Sequence, residues 1–179
     1  MLAVAGCVPG TGAGRKVAIL NGTIQVGMAA GYCIDRAASR ERDNAAVILM
    51  GRCNSAVPQA PAVLSLTVGP SGSGGAILGD TAALAAFFRS PEGRATLSRD
   101  GRAKDVTLLE AIPGEGIFTM RVRDVAVGEY WRSITSLRGR LVTLSAAGTE
   151  AAPLDPSRGK TILDRAMVEL IRANPPLVK

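Results

Sequence analysis

Apolar residues recur at every second position in several short runs of this chain, and the runs are joined by tight turns. In residues 62–68, Ala62, Leu64, Leu66 and Val68 alternate with Val63, Ser65 and Thr67. In residues 117–123, Phe118, Met120 and Val122 face one way while Arg121 and Arg123 face the other. Val142 and Leu144 repeat the pattern within residues 140–146. A period of two is the signature of a strand with one buried face. Asn21-Gly22, between the runs 17–20 and 23–28, is the strongest short hairpin signal. Arg138-Gly139 makes a similar turn between a strand at 130–137 and the one at 140–146. Strands joined this way run antiparallel, because parallel neighbours need a crossover of roughly a dozen residues.

Helices carry equally local signals. Asp80 is placed to cap a helix over Thr81–Arg89, with Leu84, Phe87 and Phe88 on its apolar face. Ser90-Pro91 restarts the helix as far as Ser98, with the proline at its first position. Asp155-Pro156 opens a last helix whose stripe is Leu163, Ala166, Met167, Leu170 and Ile171, and Pro175-Pro176 stops it. Residues 45–50 and 106–112 read as further strands. The charged stretch 35–44 reads as a loop with a helical turn, and the glycine-rich stretch 69–75 as a flexible surface loop. Together these predict an α+β fold: an antiparallel sheet of about six to seven strands with two main helices packed on it. A single domain is expected over residues 16–179, after a short segment 1–7 and a flexible tether 8–15. Aromatic residues make up only 3% of the chain, so Ala, Val, Leu and Ile must build the core. No apolar run reaches the ~18 residues of a membrane-spanning helix.

Chemistry is harder to place. There is no histidine, which removes imidazole acid–base catalysis, histidine-based nucleophilic triads and histidine metal sites. Two cysteines besides Cys7 do not make a tetrahedral metal set, and no cofactor is expected. Gly159-Lys160-Thr161 imitates the end of a phosphate-binding loop, but Leu154 stands where that loop needs its first glycine. Ser157 and Lys160 have the S-x-x-K spacing of a serine nucleophile beside a lysine, so a small serine hydrolase is one alternative. The partner triplets S-D-N and K-T-G do not occur. Net charge is +6, and Arg121, Arg123, Arg138 and Arg140 are candidates for an anion-binding face. A basic cytosolic nucleic-acid-binding domain is a second alternative. It is disfavoured because Tyr130-Trp131 alone offers a stacking platform.

Val4-Ala5-Gly6-Cys7 resembles a lipobox, the site at which bacterial lipoprotein signal peptides are cut. The resemblance implies that Cys7 carries a diacylglycerol thioether and anchors the protein at the periplasmic side of the cell envelope. Only six residues precede Cys7, short of the ~7–15 apolar residues of a secretory signal, so this reading expects the true start upstream of Met1. A cytoplasmic protein with a genuine short N-terminus is the other reading. With Cys7 lipidated, Cys33 and Cys53 remain as an even pair for one disulfide. The Gly31-Tyr32-Cys33 and Gly51-Arg52-Cys53 segments are similar to those of short alphaproteobacterial exported proteins. The run EYWRSITSLRGRLVTLSAAG (residues 129–148), followed by an amphipathic helix, resembles the small sheet-and-helix domains of the PsbP-like group. These resemblances imply a non-catalytic, lipid-anchored envelope protein with a binding or scaffolding role. Its partners would be the membrane, through Cys7, and an envelope protein or anionic polymer.

Overall fold

A computed structural model describes residues 16–53, 62–75 and 80–176; Cys7 and the tether expected over 8–15 lie outside them. Strands β1 (Lys16–Ile19) and β2 (Ile24–Gly27) form an antiparallel hairpin of their own. Its turn places Leu20, Asn21 and Gly22 at φ of 52°, 55° and 82°. Asn and Gly visit that left-handed region most readily, which is why this pair marks the turn. A second sheet holds seven strands: β3 (Tyr32–Arg42), β4 (Ala45–Arg52), β5 (Val63–Val68), β6 (Val106–Pro113), β7 (Ile117–Asp124), β8 (Gly128–Leu137) and β9 (Arg140–Ala147). Their order is β3-β4-β5-β9-β8-β7-β6, and every neighbouring pair is antiparallel. The helices are α1 (Thr81–Arg89), α2 (Pro91–Leu97) and α3 (Pro156–Ala173). The fold is α+β, with an antiparallel sheet and helices packed on it.

The caps are where the sequence places them. Asp80 accepts a hydrogen bond from the Ala83 amide at 2.9 Å, and Ser90 Oγ accepts from the Gly93 amide at 3.1 Å. Each satisfies an amide that the first helical turn leaves without a partner.

The sheet separates two cores. On one face Leu64, Leu66 and Val68 stand beside Ala146, Leu144 and Val142 across the β5–β9 ladder. There they pack with Leu163, Ala166, Met167 and Leu170 of α3 and with Ile24 and Val26 of the hairpin. On the other face Phe118, Met120, Val122, Tyr130 and Ile134 pack under Ala85 and Phe88 of α1 and Leu97 of α2. Phe88 stacks on Phe118 with ring centroids 5.7 Å apart. Phe87, expected on the same apolar stripe, is instead 43% exposed, and Ile171 likewise turns outward on α3. Both helices are narrower at the contact than their apolar patterns implied.

The first hairpin is fastened to the end of α3. Asn174, at the end of that helix and buried, accepts from the Gln25 amide at 2.9 Å and donates to the Gln25 carbonyl at 2.7 Å. Its amide side chain thus imitates a strand neighbour for β2. Gly27 allows the close approach: a Cβ there would lie 2.2 Å from the Glu169 carbonyl oxygen.

Two stretches differ from expectation. Residues 35–44 are not a loop but lie largely in β3, which carries a wide bulge. Pairing passes from Asp35↔Leu49 to Arg40↔Val47, leaving four residues, 36–39, opposite Ile48. Inside the bulge Asp35 Oδ1 accepts from the Ala37 and Ala38 amides at 2.9 and 3.0 Å, a turn made by a side chain in place of the helical one expected. β3 is an edge strand with both side-chain faces largely in water, so it needs no apolar alternation; its charges blunt an open edge. The glycine-rich stretch 69–75 is fastened rather than free. Gly72 and Gly74 amides donate to the Gly139 carbonyl at 3.0 and 3.1 Å, and Ser73 Oγ accepts from the Leu141 amide at 2.9 Å. A Cβ on Gly74 would fall 2.3 Å from Ser136 Oγ.

Candidate functional site

The first turn of α3 reaches past the covered half of the sheet and leaves a cleft of about 480 Å³ against β6, β7 and β8. Helix geometry and one aromatic ring build it. Asp155 caps α3, accepting from the Arg158 amide at 3.0 Å and from Ser157 Oγ at 2.6 Å. The Ser157 hydroxyl, followed by the Arg158 amide, holds the Asp155 carboxyl below its ordinary range. Trp131, on β8, is 4% exposed and donates its Nε1–H to the Pro156 carbonyl at 2.7 Å. Gly159 is buried against it, with a Cβ there meeting Trp131 Cδ1 and Leu154 Cδ2 at 3.2 Å each. That glycine is the gap into which the indole fits.

Charges of both signs line the cleft. The Arg121 guanidinium lies 5.9 Å and the Lys160 ammonium 5.8 Å from the Trp131 ring centroid, within the range of cation–π attraction. Arg121 sits directly across the ladder from Trp131, with Glu110 across from Arg121. Arg121 Nε is 3.0 Å from Glu110 Oε1 but not aimed at it, so this buried N–H makes no hydrogen bond. Lys160 pairs with Asp164 at 2.7 Å, one helical turn further on.

This geometry gives Ser157 and Lys160 structural roles. The Ser157 hydroxyl is spent on the capping carboxylate, and Lys160 Nζ lies between Asp164 and the indole face. A nucleophilic serine needs a base that accepts its proton, and Lys160 Nζ is directed to Asp164 instead.

The four candidate arginines divide into two groups. Arg121 and Arg123 lie together on β7 and share Glu129 of β8, Arg121 more distantly at 4.0 Å. Arg138 and Arg140 lie at the opposite end of β8, in and after its turn into β9. Arg140 is 7% exposed, and its Nη1 donates to the Asn44 carbonyl at 2.7 Å, Asn44 Oδ1 at 2.9 Å and the Gly69 carbonyl at 3.0 Å. It clamps the β3–β4 turn to the glycine-rich loop. The two pairs lie at opposite ends of the sheet and do not gather into one cluster. Cys33 and Cys53 are joined as a disulfide with Cα atoms 4.9 Å apart, at the end of the β3–β4 ladder. Glu110 and Glu129 escape sequence reading because their partners are across a ladder, and only the alternation of β7, which puts Arg121 opposite its buried face, could have pointed to them. Lys160 and Asp164 stand four apart on the expected helix, and that spacing was the signal for their pair.

No family model matches the chain, and no curated protein matches it. Among solved structures, the Saccharomyces cerevisiae Ran-binding protein Mog1p is similar over 90% of this chain and 94% of that one, with 13% identity and a TM-score of 0.53. A structure of a Mog1 mutant covers the same shares, with 11% identity and a TM-score of 0.48. At such identities the likeness is one of fold.

Proposed function

We propose that this protein is a non-catalytic envelope protein, anchored at the periplasmic side by a lipid on Cys7, that binds or scaffolds a protein partner. The Cys33–Cys53 disulfide carries the reading. Such bridges persist in oxidising compartments and are rare in the cytosol. It also accounts for the cysteine count, leaving Cys7 as the odd residue within a lipobox-like sequence. The engagement of Ser157 and Lys160 with Asp155 and Asp164 supports a binding role over hydrolysis. A sheet-and-helix scaffold of this kind occurs in a Ran-binding protein, so the fold is compatible with holding a protein partner.

The test expresses the gene with its own upstream DNA in a bacterial host and labels it with alkyne-palmitate. Wild type should take up label and enter the detergent phase of a Triton X-114 partition, with Cys33 and Cys53 resistant to alkylation. Cys7→Ala should be unlabelled and aqueous. A wild-type product that is unlabelled, aqueous and carries free thiols at both positions would refute the proposal.

A further inference from the structure

On the other side of the molecule, the end of α1, the middle of α2, the single 3-10 turn Ala103–Asp105 and the start of β6 meet around a hollow of about 350 Å³. Arg89, Arg94 and Lys104 line it, over Val106, Thr107 and Leu108 of the edge strand β6. Its volume falls in the range of roughly 300–1,000 Å³ typical of small-ligand sites.

Three cations share this hollow without a carboxylate. No acidic residue lines it, and no ion pair among the described residues involves Arg89, Arg94 or Lys104. The acids close by in sequence are committed elsewhere. Asp100 and Asp105 both pair with Arg102. Glu92 is held by its own amide and by Ser90, which keep its carboxyl below the ordinary range, and Arg94 adds least to that. A run of basic residues that reads as one cluster in the sequence is thus divided by the fold: Arg102 is neutralised, and the other three charges are left together.

Arg94 is nevertheless fixed. Half-buried, it donates from Nε to the Ala103 carbonyl at 3.4 Å and from Nη1 to the Arg89 carbonyl. Those bonds tie the end of α1 to the turn after α2, and they leave Nη2 without a hydrogen bond among the described residues. Arg89 stands in the last turn of α1, where a cation complements the carbonyl end of the helix. The exposed Lys104 side chain makes no hydrogen bond or ion pair among the described residues, so no bond of the fold accounts for it on the same hollow. Gathering like charges costs free energy, which a bound anion returns.

The chemistry of that anion follows from the lining. A single carboxylate would leave most of the charge unbalanced, whereas a phosphate monoester carries nearly two negative charges at neutral pH and three acceptor oxygens. Guanidinium and ammonium groups are both strong phosphate donors. No aromatic ring lines the hollow, so a nucleic-acid base would find nothing to stack on. We infer that this hollow binds a phosphate monoester through Arg89, Arg94 and Lys104. This goes beyond the binding role proposed above and does not depend on the lipid at Cys7.

Nuclear magnetic resonance of the ¹⁵N-labelled full chain, titrated with glycerol 3-phosphate or with acetate at fixed ionic strength, tests it. Glycerol 3-phosphate should give saturable shifts at the amides of Arg89, Arg94, Lys104 and Thr107, and acetate should bind roughly tenfold more weakly or not at all. Arg94→Gln and Lys104→Glu should each weaken phosphate binding roughly tenfold or more. Because Arg94 also holds two carbonyls, Lys104→Glu carries the test if Arg94→Gln does not fold. Arg36→Glu makes the same change of net charge in β3, at the opposite edge of the sheet, and should bind as wild type does. Phosphatidylcholine vesicles with and without phosphatidic acid identify the source of the phosphate. Sedimentation with the phosphatidic acid vesicles that Lys104→Glu abolishes assigns a lipid headgroup, and glycerol 3-phosphate binding without sedimentation assigns a soluble ester. Shifts that do not saturate, equal binding of acetate, undiminished binding by Lys104→Glu, or an equal loss in Arg36→Glu overturns the inference.

Discussion

Asn174 is buried with most of its polar capacity committed: it serves β2 through Gln25 and also donates to the Leu170 carbonyl at 2.8 Å. Asn174→Ala should therefore cost about 2–4 kcal/mol, because buried backbone groups lose their partner. Urea unfolding of the two proteins measures it. Asp155 gives a prediction in pH. Its folded-state value is lowered by Ser157 and the Arg158 amide, so its contribution is full above the ordinary carboxylate value and is lost as pH falls through the lower folded one. Asn remains a good cap, so Asp155→Asn should flatten the loss of stability below about pH 4. Urea midpoints taken between neutral and acid pH would show parallel curves if the carboxylate plays no such part. Of these two residues one was legible and the other was not. Asp155 announces itself through the proline that follows, whereas nothing near Asn174 in sequence tells of Gln25, 149 positions away.

At the scale of elements, local signals and long-range context part in the same way. The strands with one buried face, β5, β7 and β9, are plain in the sequence because solvent on one side and core on the other impose the alternation. β3 is not, since an edge strand with both faces in water has no reason to alternate. The pairing of β5 with β9 joins segments with α1, α2 and three strands between them, and no turn chemistry specifies it. The glycines at 69–75 look like slack, yet Gly74 is small because Ser136 and Arg140 leave no room. The same segment count makes the disulfide useful: it closes the open end of β3 onto β4, across a separation of 20 residues. Cys33→Ser/Cys53→Ser should lower stability by roughly 3 kcal/mol, the value for a loop of this size. A urea midpoint unmoved by the double substitution would show that the ladder alone holds that edge.

For the molecule as a whole, the sheet is shared between two cores, and β8 serves both. Trp131 faces α3, while Tyr130 and Ile134 face α1 and α2. Two cores built on one sheet should unfold together. Because Trp131 is the only tryptophan, its fluorescence reports the α3 side alone, while far-ultraviolet circular dichroism reports every element. The two transitions should coincide in denaturant, and a fluorescence change that precedes the other would show that α3 leaves first. Charge also reads differently at this scale. The sum over the chain is positive, but the cleft beside α3 holds both signs, and only the fold decides which carboxylates meet Arg121 and Lys160 there.

The handshake between Gln25 and Asn174 also sets an order in time. The hairpin at the start of the described chain cannot be completed until the final helix is present. A growing chain, or one passing lengthwise through a membrane, therefore lacks this contact until Asn174 arrives, 149 positions after Gln25. For a protein proposed to leave the cell interior, that arrangement keeps the strand-and-helix unit open while it travels and lets it shut on arrival.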